Sequence, residues 1–405
     1  MRFFIAIFLL FNIFAVSASE FIPSVDVFLR KYTRLVKGKK VGLITNQSAV
    51  TKSGELVIDV LVRHPDVNIV ALFAPEHGVR GTVPAGMPVN NTRDEKTGLP
   101  VYSTYHAKTK QPSPEHLKKV DILIFAIQDL GCKTYTYIWT MAECMKAAGR
   151  LKIPMIILDM PSVHGLNYPD GPIRLPKYRS FIGLYPTPYT YDATEGELAR
   201  YLKHVEKIDC KLYIVPMHYY RRGMTYAETG LKFRKLSPNI PDLNSALGYW
   251  VTGPLGELGL FNIGLNMGVS FQIIAAPWLN GQQMASFLNR AGIPGIKFEP
   301  YNRKAIFGRY KGEYISGVKL VFTDSAKVRP VETIIRILCY MRDYESDFHW
   351  NTSSPSFNNI FDKAIGSDFI RLQIQKGVSA SSIIRQYRAE SNSFARKLAP
   401  YRIYK

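Results

Sequence analysis

Residues 120–131 read VDILIFAIQDLG, an apolar run that stops on an amide, Gln128, and an acid, Asp129. The pattern recurs along the first half of the chain. KKVGLITNQ (39–47) closes on Asn46 and Gln47, NIVALFAPEHG (68–78) on Glu76 and His77, and IPMIILDMP (153–161) on Asp159, while KLYIVPM (211–217) supplies a fifth run. Strands that are apolar at consecutive rather than alternate positions are buried on both faces, as in a parallel sheet between two helical layers. Helical spacing fills the intervals: Leu56, Val57, Val60 and Leu61 in 54–64, Met141, Met145 and Ala148 in 137–149, and the amphipathic EGELARYLKHV at 195–205. The fold class expected is therefore α/β, a parallel sheet flanked by helices. Right-handed crossovers put the carboxyl ends of all such strands on one edge, where ligands bind in open α/β sheets. Each polar strand end taken singly could be a turn or capping residue. Four at equivalent positions point to a shared cleft.

The character changes after Pro277. Stretches 280–292 and 330–344 have helical spacing, 317–325 reads as a strand, and 356–405 is mostly helical and rich in Lys, Arg and Tyr. A sheet domain over 20–277 and a smaller α+β domain over 278–405 are expected, which suits the length of 405 residues. A Gly/Pro/Asn-rich loop is expected from Gly78 to about Pro114.

The first residues, MRFFIAIFLLFNIFAVSASE, combine Arg2, an apolar run from Phe3 to Val16 and small residues before Ser19. They read as a signal peptide over 1–18, cleaved after Ala18, with export to the periplasm or medium. The run is too short for a bilayer span of roughly 20 residues, and no later stretch reads as a span. The formal net charge of +20 suits contact with anionic polymers such as wall material. Its cations are dispersed, with no Lys/Arg block interleaved with aromatics, so nucleic acid is not expected as a partner. Cys132, Cys144, Cys210 and Cys339 show no CxxC spacing, and the histidines no HExxH pairing, so no metal is expected. Neither a dinucleotide fingerprint, a phosphate-binding GxxxxGK[ST] nor a GxSxG elbow is present.

What the strand ends offer is carboxylates, amides, an imidazole and the tyrosines Tyr135 and Tyr137 of CKTYTYI. Acids and amides bond hydroxyls and aromatic rings cover apolar sugar faces, so a polyhydroxylated ligand fits. So does hydrolysis by a pair of carboxyl groups.

GLITNQSAV, LFAPEHGVRG, TGLPVYSTY, IQDLGCKTYTYI, ILDMP, DGP, GELA and LSPNIPDLNSA occur in that order. Together they resemble the NamZ-type exo-β-N-acetylmuramidase family, from about residue 39 to the C-terminus. That resemblance implies a Rossmann-like domain with a smaller C-terminal one. It also implies release of N-acetylmuramic acid from the non-reducing ends of peptidoglycan fragments, without a cofactor. Glu76, backed by Phe73 and Ala74, is the expected general acid, because an apolar backing raises a carboxyl pKa. Glu197 in TEGELA is the expected partner, with Asp170, Glu257 and Asp129 as alternatives. Arg80 is the expected clamp for the lactyl carboxylate. Asn46, Gln47, His77, Gln128, Asp129, Tyr135, Tyr137, Asp159 and Asp170 complete the expected sugar-binding set. The chain departs from the family pattern at Tyr191–Glu197, which lacks the usual His, at Gly264–Met267, which lacks an Arg, and at Phe125–Asp129, which lacks the first acid. Those losses make a wall-sugar-binding protein without activity the rival reading, with a hydrolase for another acidic sugar behind it.

Overall fold

The computed structural model describes residues 20–84, 86–106, 110–165, 167–350 and 355–405. The expected signal peptide lies outside them. β1 (Lys40–Thr45), β2 (Asn68–Ala74), β3 (Thr92–Arg93), β4 (Pro100–Ser103), β5 (Ile122–Ala126), β6 (Met155–Leu158) and β7 (Leu212–Val215) form one sheet, in the order β3-β4-β2-β1-β5-β6-β7. Every pairing in it is parallel except that of the short edge strand β3 with β4.

Successive residues of these strands serve two cores. Ile44, Phe73, Leu123, Phe125 and Ile157 pack with α4 (Tyr137–Arg150) and α5 (Glu195–Val205) on one face. Val41, Leu43, Ile122, Ile124 and Leu158 pack with α1 (Ser24–Lys31) and α2 (Val57–Arg63) on the other. Double coverage leaves the central strands β5 and β6 buried at every position, and each fully buried Leu, Ile or Phe contributes about 1.5–3 kcal/mol. The short α3 (Pro114–Leu117) precedes β5.

α6 (Leu243–Gly256) leads to an antiparallel sheet of order β8-β10-β9, from β8 (Ile273–Ala276), β9 (Ile296–Lys304) and β10 (Tyr314–Phe322). This second sheet thus takes its first strand from ahead of the boundary expected at 277/278. α7 (Gly281–Arg290), α8 (Pro330–Tyr344), α9 (Pro355–Ile365), α10 (Phe369–Gln375) and α11 (Ala380–Leu398) complete the C-terminal half. Trp250 and Val251 of α6, Ile335 and Leu338 of α8, and Val318 and Leu320 of β10 belong to the same apolar cluster as Phe73 and Phe125. The two halves therefore share a core. Among the described residues no helix is long and apolar enough to cross a membrane.

Candidate active site

Beyond β2 the backbone turns sharply at the PEHG sequence. The Gly78 N–H reaches the Pro75 carbonyl at 3.0 Å, and His77 takes a φ of +71°, a left-handed conformation uncommon for a side-chain-bearing residue. Nδ1 of His77 lies 2.8 Å from the Val83 carbonyl, which holds the ring in place. Gly81 cannot be replaced cheaply: its φ is +72°, and a Cβ there would meet Cδ of Gln47 at 2.4 Å. This turn leaves Glu76 half-buried. Its Oε1 accepts from the Gly86 N–H at 2.9 Å and its Oε2 from the Thr136 hydroxyl at 2.6 Å. Thr136 is the residue that opens α4, so the carboxylate sits by a helix N-terminus, whose dipole favours negative charge.

Glu76 and His77 border a cavity of about 490 Å³ that also takes in Tyr105, Tyr135, Tyr137 and Glu257. That volume is within the range of small-molecule sites. Its wall is aromatic: the Tyr135 and Tyr137 rings meet edge to face at 4.8 Å, Tyr135 and Tyr249 at 6.0 Å, and Tyr249 and Phe271 at 4.9 Å. The LSPNIPDLNSA segment supplies Ser237, Asn239 and Ile240 to it, and the Tyr137 hydroxyl donates to the Leu236 carbonyl at 3.1 Å. Burial pushes the Tyr105 phenol well above its ordinary range, and the Glu76 charge adds to the effect, so this hydroxyl remains a neutral donor. Glu257, just past the end of α6, has surface open to solvent at the cavity's border. It is nonetheless surrounded by protein at longer range, and that desolvation raises its carboxyl pKa.

The other strand ends converge too, but on a buried seam instead of this cavity. The Ser48 hydroxyl donates to Asn46 Oδ1 at 2.5 Å and accepts from the Gln128 N–H at 3.0 Å. Gln128 Nε2 donates to the Asp129 and Pro161 carbonyls, and Gln47 Nε2 to the Leu236 carbonyl. Asp129 accepts from the Tyr191 hydroxyl and the Gly131 N–H. Asp159 accepts from Gly196 N–H, Thr194 Oγ1 and Tyr404 Oη at 2.7–2.8 Å. Between them Glu195 accepts from the Asp129 and Met160 amides. Sequence expectation counted Asn46, Gln47, Gln128, Asp129 and Asp159 as sugar contacts. None of them lines the cavity, because the hydrogen bonds of helix starts and loops engage them.

Burial pushes Asp159 up to about 7 and Glu195 well above its ordinary range. A carboxyl raised in the folded state binds its proton more tightly there. Its stabilisation is present below the unfolded value of ~4 and is lost as pH rises through about 7. Between those limits wild-type stability should therefore fall relative to Asp159→Asn, whatever the variant's constant offset. Melting temperatures measured across that window check this, and parallel curves would refute it.

Three further expectations are corrected by the geometry. Glu197 is fully buried in an ion pair with Arg222 at 3.0 Å, closes a capping box with Thr194, and accepts from the Ile403 and Tyr404 amides at 2.8 and 3.3 Å. It faces the C-terminal segment, not the cavity. Arg80 forks onto Asp94 at 2.8 Å and contacts Asp59 at 3.2 Å, on the wall of a neighbouring cavity of about 750 Å³. Its guanidinium is engaged by two carboxylates of the protein. Asp170 accepts from the Val331 N–H and the Tyr387 hydroxyl, both at 2.8 Å, and so ties α8 and α11 to the first domain.

Glu76, His77, Tyr135 and Tyr137 thus border one cavity, and Glu257, one of the alternatives, borders it too. Tyr105, Thr136, Tyr249 and Asn239 were not singled out in the sequence; the TGLPVYSTY and LSPNIPDLNSA strings were the available signals. All four cysteines are free and buried. Among the described residues no group of three or more His, Cys, Asp or Glu could hold a metal ion.

Two family models match the chain: exo-β-N-acetylmuramidase NamZ, N-terminal, over residues 41–244, and its C-terminal counterpart over 247–404. The peptidoglycan β-N-acetylmuramidase NamZ of Bacillus subtilis (strain 168) is 39% identical over 383 residues, covering 94% of this chain and 90% of that protein. Two solved structures of DUF1343 family proteins from Bacteroides fragilis NCTC 9343 are similar. One has a TM-score of 0.86 and 36% identity over 95% of this chain and 99% of its own. The other has a TM-score of 0.73 and 25% identity over 96% and 99%.

Proposed function

Because the chain belongs to the NamZ family of exo-β-N-acetylmuramidases and is a glycosidase, we propose that it is exported and hydrolyses terminal N-acetylmuramic acid from the non-reducing ends of peptidoglycan fragments. The observation that carries this reading is the aromatic-walled cavity holding two carboxyl groups, Glu76 and Glu257. One protonated and one ionised carboxyl are what glycoside hydrolysis requires. Of the two, Glu257 is held above the usual carboxylate range by its surroundings, and it is assigned the proton donor. Glu76 accepts hydrogen bonds on both oxygens and is assigned the carboxylate that faces the anomeric carbon. This exchanges the acid role first expected of Glu76.

In the reaction the glycosidic C–O bond breaks and its oxygen takes the Glu257 proton, while water adds its hydroxyl to the anomeric carbon and gives up a proton that restores the Glu257 carboxyl. Tyr135, Tyr137 and Tyr249 offer ring faces and edges to the sugar, and neutral tyrosine hydroxyls donate to its oxygens. The reading is tested with the purified protein on a chromogenic N-acetylmuramide. Release of chromophore is expected, together with a mature N-terminus at Ser19 when the protein is sequenced from its own cells. Tight sugar binding without release would overturn it in favour of the wall-binding alternative.

A further inference from the structure

Muramic acid differs from glucosamine by a lactyl ether that ends in a carboxylate. A cavity already holding the Glu76 carboxylate repels such a group unless a cation answers it. Among the described residues that border this cavity none is a lysine or arginine. Arg80 is engaged elsewhere, and His77 is fixed on Val83.

Lys110 meets the requirement. Its Nζ stands 3.3 Å from the centroid of the Tyr105 ring and 5.7 Å from that of Phe181, two rings that pack edge to face at 5.8 Å. Tyr105 lines the cavity, and the Glu76 charge is felt at both Tyr105 and Lys110. Lys110 as a residue is half-buried, and among the described residues it forms no ion pair. An ammonium seated on an aromatic face keeps its N–H donors for an incoming acceptor. Resting on the muramidase reading above, we propose that Lys110, braced by Tyr105 and Phe181, binds the lactyl carboxylate and makes the site selective for acidic over neutral hexosaminides.

The test compares a chromogenic N-acetylmuramide with its lactyl methylamide, which keeps the size and loses the charge. Wild type should favour the acid, and Lys110→Met should lose about 10- to 100-fold in kcat/KM on the acid, chiefly through KM, so that the preference collapses. Lys110→Arg should retain most of it. A Lys110→Met protein that keeps the wild-type preference overturns the proposal. If that variant does not fold, wild type decides: KM for the acid should rise with ionic strength while KM for the amide does not, and equal responses refute it. Should wild type cleave neither substrate, the muramidase reading fails on its own. The Lys110 proposal is then read from the dissociation constants of N-acetylmuramic acid and its methylamide, where equal affinities would reject it.

Discussion

Glu76→Gln should lower kcat by about 10³-fold on every muramide, irrespective of leaving group, with little change in melting temperature. The substitution keeps the acceptor oxygen that meets the Gly86 amide or the Thr136 hydroxyl and removes the negative charge beside the reacting carbon. Glu257→Gln should behave differently. On a natural saccharide, whose leaving oxygen needs a proton, it should lose about 10²- to 10⁴-fold. On a dinitrophenyl glycoside, whose leaving group departs without one, most activity should remain. The pH profile gives a second readout with a defined sign. The Glu257 carboxyl is raised and must be protonated to donate, so activity on the natural saccharide falls as pH climbs through its value, while the dinitrophenyl substrate lacks that alkaline limb. If Glu257→Gln loses equally on both substrates, the donor assignment is wrong. If Glu76→Gln retains wild-type turnover, the cavity is not where the bond is cut.

Glu197→Ala should have the largest effect on stability, about 3–5 kcal/mol, the usual result of removing one partner from a buried ion pair. Arg222 would keep Asp192 at 2.9 Å but lose its second carboxylate. The Ile403 and Tyr404 amides would lose their acceptor, and α5 half of its capping box. Calorimetry should register the drop, while the turnover of the remaining folded protein stays close to wild type. A stable but inactive Glu197→Ala protein would reverse this assignment and restore Glu197 to the chemistry.

The fate of Glu197 illustrates what the sequence discloses and what it withholds. The strands at 39–47, 69–73, 120–131, 153–161 and 211–217 were legible because a doubly covered strand is apolar throughout. β4 lay hidden in a stretch that reads as loop, since a strand of only four residues, led by Pro100 and with just Val101 and Ser103 buried, carries almost no pattern. β9, with Pro300 and alternating exposure, escaped for the same reason. At the strand ends the difficulty is chemical. An acid there can face a ligand or satisfy the amides of the next helix, and the residue type is identical in both cases. Glu76 turns outward because the PEHG turn carries it across to Thr136. Asp159 turns inward because Thr194 and Gly196 begin a helix beneath it. Only the path of the loop separates the two outcomes. Arg80 follows the same logic: its partners Asp59 and Asp94 lie 21 and 14 residues away in the chain, and no local pattern reveals them.

Residues 403 and 404 lie against Glu197 in the first turn of α5 and Asp159 just past β6, both in the first half of the chain. A ribosome making this protein must therefore complete the second domain before the first can close over its own buried acids. The contacts of Ile403 and Tyr404 that clasp the leading half are thus among the last that translation makes available.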